Sequence, residues 1–324
     1  MKKLSIIIIN YATKDLIGKC ISNLLNSYEN LEIILVDNDS PDGSYDLAQK
    51  LYENNPKVIL IRTQNNGLAA GFNLGLEKAS ANYILYLGTD SFPTGDALEK
   101  LITYMDLHPE VGIATPKLLL RDGSVDIDAH RGFPTPWVAF CHLTYLDHIF
   151  PKSRFFNGYS MQYLDLSTEH EIDACISHFM MVNPKVHNKI GKWDESYFLY
   201  GEDIDFCYRA KQAGFIIMYL GDIEVLHYKG ASVNRNTSAD IKNTLNTNYD
   251  SISFKGKTVE SKNVINTSFW MRLRIAQESS RAMKIFYQKH FINKYPKFLT
   301  TLIFIGIWLN DQIKSLKVFL KYYL

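Results

Sequence analysis

The chain has 324 residues, of which 46% are hydrophobic and 21% are charged, and its formal net charge is +1. This is the composition of an ordinary globular protein, and the balanced charge gives no global argument for nucleic-acid binding. The four cysteines form no C-x-x-C pair, so we expect neither a cysteine zinc site nor a disulfide framework, and a reducing compartment is favoured. The first apolar run ends at Asn10 with no cleavage site after it, which predicts a strand and not a signal peptide.

Four apolar runs alternate with helical patterns over the first part of the chain. The runs at residues 4–9, 31–36, 58–62 and 83–87 are nearly continuous, as in strands that are covered on both faces. The βαβαβαβ order predicts an α/β fold with a parallel, right-handed sheet. Ligands of such sheets bind beyond the carboxyl ends of the strands, so the residues that follow each strand are candidate site residues.

Polar residues follow the first two predicted strands. Asn10 and Tyr11 come after the first strand, and Asp37 and Asp39 come after the second. Turn formation explains these residue types one by one, because Asn, Asp, Ser, Pro and Gly all favour turns. It does not explain why polar groups recur at one edge of the sheet, so we expect these four residues at a ligand site.

A glycine-rich segment follows the third predicted strand. Small residues at the entry of a helix allow close backbone approach, and the first amides of the helix are free to face an anion. The segment is not a dinucleotide-binding fingerprint, because it follows the third strand and lacks G-x-G-x-x-G. Its candidate binding residues are Asn66, Gly67, Ala70, Gly71 and Asn73.

Polar residues also follow the fourth predicted strand and a strand further downstream. Thr89 and Asp90 follow the fourth strand, and a single carboxylate makes a weak oxygen site that depends on ligand phosphates and waters. Downstream, apolar runs at residues 216–220 and 223–226 predict two strands, and the second ends at His227. A lone histidine is more often structural than a ligand, so sequence alone leaves both explanations for it.

Acidic residues gather before and within a predicted helix at residues 202–213. Glu202, Asp203 and Asp205 open this helix after Gly201, and Asp194 lies just upstream. Acids in a first turn suit the positive end of the helix dipole, so a helix start with solvated acids explains each of them singly.

Taken together, these motifs resemble those of glycosyltransferase family 2, whose fold is called GT-A. The Trp-Asp-Glu, the aromatic run, the Gly-Glu-Asp-x-Asp and the Arg one turn later resemble the family's acceptor site. The resemblance implies that Asp203 is the general base, with Glu202 beside it. It also implies that Asp37 and Asp39 hold the base and ribose of a nucleotide sugar, with Tyr11 packed on the base.

The remaining motifs resemble family elements that contact the diphosphate. The glycine-rich segment is similar to the Asn-x-Gly-x-Ala-x-Gly-x-Asn-x-Gly element of rhamnosyltransferases. Gly88-Thr89-Asp90 stands where the family usually has Asp-x-Asp, with the first acid absent. The His-x-x-Gly-x-Ser that begins at His227 resembles the element with a metal or diphosphate ligand. The resemblance therefore implies a divalent cation, Mg²⁺ or Mn²⁺, near Asp90 and His227.

The implied protein is an inverting glycosyltransferase with a mostly parallel central sheet covered by helices. Rhamnose from dTDP-rhamnose is the expected donor, within the class of dTDP- and UDP-sugars. The acceptor would be a hydroxyl of a cell-surface polysaccharide or a lipid-linked glycan, reached from the cytoplasm at the inner face of the membrane. No nucleic-acid partner is expected.

Two other classes of protein stay open at this point. A catalytically silent sugar-nucleotide-binding or scaffold protein would explain the missing acid at residue 88, but it would not need Glu202, Asp203 and His227 together. A nucleotidyltransferase has a similar sheet, but it would be expected to carry a basic, glycine-rich loop directly after the first strand.

The rest of the chain divides into an insertion and a C-terminal extension. We expect residues 1–232 to form the catalytic domain, with residues 118–172 as an acceptor-side insertion, and a strand at residues 173–182 whose Ser177 stands where relatives have Gly. Residues 233–324 form the extension, with a loop at 234–248 and helices at 269–291 and 296–324. The last helix carries an apolar stripe. Its members are Phe298, Leu302, Ile305, Leu309, Ile313, Leu316 and Leu320. Packing on the core and docking on an anionic membrane both explain this stripe.

Overall fold

The computed structural model describes residues 3–229 and 269–323, and within these residues nine strands form one sheet. The strand order is β3-β2-β1-β4-β8-β6-β9-β5, with β7 beside β9. The strands are β1 (Leu4–Asn10), β2 (Leu31–Asn38), β3 (Val58–Thr63), β4 (Tyr83–Gly88), β5 (Ser91–Pro93), β6 (Val111–Leu119), β7 (His170–Glu171), β8 (Phe179–Val182) and β9 (Ile216–His227).

Helices cover both faces of the sheet. They are α1 (Lys14–Ser27), α2 (Ser44–Tyr52), α3 (Leu68–Leu76), α4 (Ala97–Leu107), α5 (Pro136–Leu143), α6 (Leu146–Ile149), α7 (Pro184–Ile190), α8 (Glu202–Gln212), α9 (Phe269–His290) and α10 (Lys297–Tyr323). Successive side chains of a strand point to opposite faces, so Ile6 and Ile8 join one hydrophobic cluster while Ile7 joins the other. The nearly continuous apolar runs are explained by this double coverage.

The predicted parallel first half of the sheet is confirmed. β1 pairs with β2 and with β4 in parallel, and β2 pairs with β3 in parallel. In this register Asn10 lies beside Asp37, and Ile9 lies beside Gly88. The polar residues that follow these strands therefore meet at one edge, as the sequence predicted.

The second half of the sheet is mixed, and two strand predictions were wrong in detail. β8 pairs antiparallel with β4 and begins only at Phe179, so the predicted strand at 173–182 is shorter than expected. The two runs at 216–220 and 223–226 form a single strand, β9. Its pairing with β6 shifts, since Pro116 lies beside Leu220 but Lys117 lies beside Glu224. The apparent break at residues 221–222 is this irregularity and not a turn.

The two C-terminal helices pack against α8, and α10 contributes only one of its two apolar faces to this contact. Tyr208 of α8 lies in a cluster with Phe286, Tyr287 and Phe291 of α9, against which Ile303 and Phe304 of α10 pack. The seven residues of the predicted stripe face away from this cluster and are 42% to 70% exposed. Core packing is therefore the wrong explanation for the stripe, because other residues of α10 form the packed face.

None of the helices within residues 3–229 and 269–323 is long and apolar enough to cross a bilayer. The predicted loop at residues 234–248 lies outside the described residues.

Candidate active site

The loops after β1 and β2 are joined by buried hydrogen bonds. Asn10 Nδ2 donates to Asp37 Oδ2 at 2.5 Å and to Ser44 Oγ at 2.7 Å, and Ser40 N donates to Asp37 Oδ1 at 2.9 Å. Asn10 and Asp37 are fully buried, whereas Tyr11 and Asp39 are exposed. In this structure Asn10 and Asp37 join the two loops, whereas the side chains of Tyr11 and Asp39 reach solvent; ligand binding by the four residues stays a prediction.

The glycine-rich segment approaches protein atoms closely. Gly67 has a φ of 100°, and a Cβ on it would lie 2.6 Å from the carbonyl oxygen of Phe198. That same carbonyl accepts a hydrogen bond from Leu68 N at 2.9 Å, so one of the first amides of α3 is already used. A Cβ on Gly71 would lie 2.9 Å from Ile9 Cδ1. The predicted close approach exists, but the atoms approached belong to the protein.

Asn73 joins α3 to the segment that precedes α8. Its Nδ2 donates to Trp193 O at 3.0 Å and to Glu195 Oε1 at 2.7 Å, and its Oδ1 accepts from Trp193 N at 3.0 Å. The residue is buried, whereas Asn66 is exposed and Ala70 is half-buried. Asn73 therefore holds the acidic segment in place, and Asn66 and Ala70 are the members of this motif with surface to offer a ligand.

Asp90, His178 and His227 form a cluster at the end of β4. Their potential ligand atoms all lie within 4.8 Å of one another, and His227 Nε2 is 3.7 Å from Asp90 Oδ1. Thr89 beside them is buried, and its hydroxyl has no hydrogen-bond partner among the described residues. One carboxylate and two imidazoles fit a divalent cation such as Mn²⁺, which accepts both oxygen and nitrogen ligands.

The sequence analysis did not predict His178 as a site residue. It lies directly before β8, and the antiparallel pairing of β8 with β4 places it beside Gly88, whose amide donates to His178 O at 3.0 Å. A Cβ on Gly88 would lie only 2.6 Å from the ring of His178. The imidazole thus fills the space of the first acid of an Asp-x-Asp motif, and only a prediction of the strand pairing could have revealed this.

Two charged residues outside the cluster, Asp126 and Lys229, orient the ring of His227. Its Nδ1 lies 2.7 Å from Asp126 Oδ2, and Lys229 Nζ donates to Asp126 Oδ1 at 2.7 Å. Burial opposes the charged form of the imidazole, but the hydrogen bonds to Asp126 and Asp90 outweigh it and raise the pKa of His227 to about 9. These contacts turn Nε2 of the ring toward Asp90.

Asp203 forms a largely buried ion pair with Arg131. Asp203 Oδ2 lies 2.5 Å from Arg131 Nη2, with 9% and 11% of the two side chains exposed. The other oxygen, Oδ1, accepts from the backbone amide of Ile204 at 2.8 Å. Arg131 lies in the insertion, where no motif marked it, so the sequence analysis missed it. An acceptor hydroxyl at Asp203 would compete with this guanidinium.

Glu202, which adjoins Asp203, is a buried acid with a raised pKa. Burial together with the adjacent Asp203 carboxylate raises the pKa of Glu202 to about 8. The hydroxyl of Ser177 donates to Glu202 Oε1 at 3.5 Å, and Ser177 directly precedes His178. At neutral pH the Glu202 carboxyl is mostly neutral. The start of α8 is thereby connected to the cluster of Asp90, His178 and His227, because Glu202 contacts Ser177 and Ser177 is the neighbour of His178 in the chain.

The buried Glu202 predicts a pH-dependent stability. A carboxyl whose pKa is raised on folding favours the folded state less and less as pH rises from its unfolded value to about 8. Glu202→Gln removes this loss, so we expect the variant to melt above the parent at pH 8 and near it at pH 5, with a difference of about 1–4 kcal/mol in unfolding free energy. Thermal unfolding of the variant and the parent at pH 5 and pH 8 measures this difference. The same change in melting temperature at both pH values would contradict a buried neutral acid.

Asp194 and Asp205 anchor the C-terminal extension. Asp205 is fully buried and pairs with Arg209 at 2.7 Å, and with Lys289 and His290 of α9 at 2.7 Å each. Asp194 pairs with Lys289 at 2.6 Å. Both acids are held in ion pairs with α9, Asp205 fully buried and Asp194 27% exposed, so the four acids of the segment divide into two anchors and two candidate catalytic residues.

Comparisons with known proteins show what the chain is similar to. The family model described as "Glycosyl transferase family 2" matches residues 5–191. An N-acetylglucosaminyl-diphospho-decaprenol L-rhamnosyltransferase of Mycobacterium tuberculosis is 26% identical over 230 residues, which cover 65% of this chain and 71% of the relative. An uncharacterized glycosyltransferase of Haemophilus influenzae is 38% identical over 107 residues, which cover 32% of this chain and 43% of that protein.

Other similarities extend to a polysaccharide synthase and to a solved structure. A poly-beta-1,6-N-acetyl-D-glucosamine synthase of Staphylococcus aureus is 31% identical over 115 residues, which cover 35% of this chain and 28% of the synthase. The crystal structure of GalNAc-T7 with UDP, GalNAc and Mn²⁺ matches with a TM-score of 0.53 at 14% identity, over 72% of this chain and 47% of that one. At this identity the match shows the fold alone.

Proposed function

The chain belongs to glycosyltransferase family 2 and has the GT-A fold, and from this premise we propose that it transfers rhamnose from dTDP-rhamnose to an acceptor hydroxyl with inversion. That it is a glycosyltransferase follows from the family and its relatives. The observation that carries the site assignment is the proximity of Asp203 and Glu202 to the Asp90, His178 and His227 cluster, linked through Ser177. The rhamnosyl donor rests on the similarity to a rhamnosyltransferase.

Asp203 acts as the general base in this proposal. Its carboxylate takes the proton of the acceptor hydroxyl as the oxygen attacks the anomeric carbon, and the bond from that carbon to the diphosphate breaks. The nucleoside diphosphate leaves on the face opposite the attack, which inverts the configuration. Arg131 holds the carboxylate in place until the acceptor hydroxyl replaces its hydrogen bond. Glu202, neutral at pH 7, can donate a hydrogen bond within the site.

The cluster at the end of β4 would hold the divalent cation of the donor complex. Asp90, His178 and His227 would supply its protein ligands, with the proton on His227 Nε2 displaced when the cation binds. The cation would offset the charge that develops on the leaving diphosphate. Two imidazoles among three ligands favour Mn²⁺ over Mg²⁺, which prefers oxygen. The exposed Tyr11 and Asp39, at the same edge of the sheet, are the residues that we assign to the nucleoside.

A lipid-linked acceptor at a membrane surface fits the C-terminal helices. Residues 269–323 contain ten Lys and Arg residues against two acidic ones, whereas the whole chain has a net charge of only +1. The exposed stripe of α10 lies within this basic region. An apolar helix face combined with excess positive charge binds anionic bilayers. The M. tuberculosis relative, by its name, acts on a diphospho-decaprenol, which is a lipid-linked acceptor.

A nucleotide-sugar panel tests the function. The protein is incubated with dTDP-rhamnose, with UDP-sugars and with no acceptor, and binding and release of the nucleoside diphosphate are measured. We expect dTDP-rhamnose to bind most tightly and to be hydrolysed slowly. Preference for a UDP-sugar would show that the donor is not dTDP-rhamnose, but it would leave the proposed inverting transfer in place. Binding without hydrolysis or transfer on any acceptor would indicate a catalytically silent protein.

The membrane proposal predicts a specific loss of liposome binding. Leu309→Glu combined with Leu316→Glu places two charges in the exposed stripe without touching the packed face of α10. We expect association with phosphatidylglycerol vesicles to fall about tenfold or more, because two apolar side chains no longer enter the interface. High salt should weaken the binding of the parent protein. Vesicle co-sedimentation measures both effects.

Leu107→Glu is the matched control for this experiment, since Leu107 is an exposed leucine on α4. Its binding to vesicles should equal that of the parent. If the parent ignores anionic vesicles at low salt, the membrane role of the stripe is wrong, while the chemistry at Asp203 is unaffected.

A further inference from the structure

A second group of potential metal ligands lies in the insertion, outside the active site. His142 is in the last turn of α5, and Asp147 and His148 are in α6, which follows after a short connection through Tyr145. We propose that His142, Asp147 and His148 bind a divalent transition-metal ion of the Zn²⁺ class, which joins α5 to α6. Binding there is independent of sugar transfer, because none of the three residues belongs to the cluster at Asp90.

The first observation is a buried carboxylate without a lysine or arginine partner. The side chain of Asp147 is 1% exposed, and within the described part of the chain its ion pairs are with His142 at 2.7 Å and His148 at 3.9 Å. Burying an ionised carboxylate is costly unless a positive charge or several hydrogen bonds compensate it. Here the partners are the backbone amide of His148, which donates to Asp147 Oδ1 at 2.9 Å, and the two imidazoles. A bound dication would supply the missing charge permanently.

The second observation is the geometry of the three groups. The atoms that could act as ligands all lie within 4.8 Å of one another. Two ligands bound tetrahedrally to Zn²⁺ at about 2.1 Å are about 3.4 Å apart, so rotation of the imidazoles is enough to close the site. Two imidazoles and one carboxylate select Zn²⁺ or a similar ion over Mg²⁺ and Ca²⁺, which prefer oxygen ligands.

The proposed metal site is held by neighbouring residues on one side and is open to solvent on the other. His142 and His148 are 43% and 56% exposed, so an ion can reach them from solvent. Below them, Asn157 Nδ2 donates to the backbone carbonyl of Asp147 at 2.9 Å, and the ring of Tyr159 lies 4.6 Å from that of His142. Three protein ligands leave one coordination position for water, which is the pattern of an open zinc site.

Metal binding here would fix the surface that α5 and α6 carry. Large exposed apolar residues surround the site on both helices and on the segment after them. They are Trp137, Phe140, Tyr145, Ile149 and Phe155. With the metal bound, three coordinate bonds would take the place of the hydrogen bond between His142 and Asp147 that joins α5 to α6. The aromatic surface of the acceptor-side insertion would then be held in one arrangement.

Metal titration of the full chain tests the proposal. After treatment with a chelator, Zn²⁺ binding is measured by equilibrium dialysis, and Co²⁺ is used as a visible-light probe of tetrahedral coordination. His227→Ala disables the cluster at Asp90, and we expect one equivalent of Zn²⁺ to remain bound to this variant. Adding His148→Gln should lower the affinity for that Zn²⁺ ion at least about tenfold, as expected when a metal ligand is lost.

The matched control is His108→Gln. His108 is similarly exposed and lies 3.2 Å from Glu110, but it has no second histidine beside it. We expect Zn²⁺ affinity and the Co²⁺ spectrum to be unchanged by this substitution. Because His148 is exposed, its replacement leaves the fold intact, which far-UV circular dichroism checks. Equal Zn²⁺ affinity with and without His148, or no Zn²⁺ bound to His227→Ala, would overturn the proposal.

Discussion

Asp203→Asn is expected to lower sugar transfer by about 10²–10⁴-fold while the donor still binds. The substitution keeps the shape of the side chain but removes the carboxylate that accepts the proton, and general base catalysis contributes a factor of this size. Transfer to acceptor and binding of the nucleotide sugar are measured separately. A variant with near-normal turnover would remove Asp203 from the mechanism.

The ion pair with Arg131 requires a matched control. Asp203→Asn leaves a buried guanidinium without its carboxylate, and breaking such a pair from one side costs about 3–5 kcal/mol. Arg131→Gln breaks the same pair from the other side and keeps the base. We expect both variants to melt at a lower temperature, but Arg131→Gln should transfer at least about tenfold faster than Asp203→Asn. Equal losses of transfer in the two variants would mean that the pair is structural only.

The first half of the fold could be predicted because its signals are local. Buried parallel strands are continuous apolar runs, and the polar residues after β1, β2 and β4 meet at one edge since parallel strands end together. Asp90 was predicted as a site residue from its place after a strand, and Asp203 from the resemblance of a short motif; both stay predictions. Sequence spacing could not show that Asn73 and Gly67 contact the segment before α8, because these contacts join residues more than a hundred positions apart.

The residues that were missed depend on long-range pairing. His178 reaches the cluster only because β8 runs antiparallel to β4, and Arg131 reaches Asp203 because a bridge to Ala174 holds it beside α8. Neither residue stands in a motif. For α10 the sequence did show the apolar stripe, because the stripe follows the helical period. The period does not say which of two apolar faces of a helix is covered by the rest of the protein.

The three residues of the cluster at Asp90 should be required for metal-dependent transfer. Asp90→Ala, His178→Ala and His227→Ala each remove one potential ligand, and we expect each to raise the Mn²⁺ concentration needed for half-maximal activity by about tenfold or more. After removal of metal by a chelator, Mn²⁺ should restore the parent better than Mg²⁺ does. Full activity of the parent in excess chelator would show that transfer needs no cation, and His227 would then carry the diphosphate charge.

Exchanging the ligand types tests whether His178 stands in for the absent first acid. Gly88→Asp alone should inactivate the protein, because its Cβ would lie 2.6 Å from the imidazole of His178. Gly88→Asp combined with His178→Ala removes the contact with the imidazole and supplies a second carboxylate at the end of β4. The new Cβ would still lie 2.8 Å from Asp90 Oδ1, so the Asp90 side chain has to shift slightly. We expect the double variant to transfer at least about tenfold faster than His178→Ala, and to accept Mg²⁺ more readily, since the site then offers more oxygen ligands. A double variant no better than His178→Ala would mean that the imidazole fills this space without binding the cation.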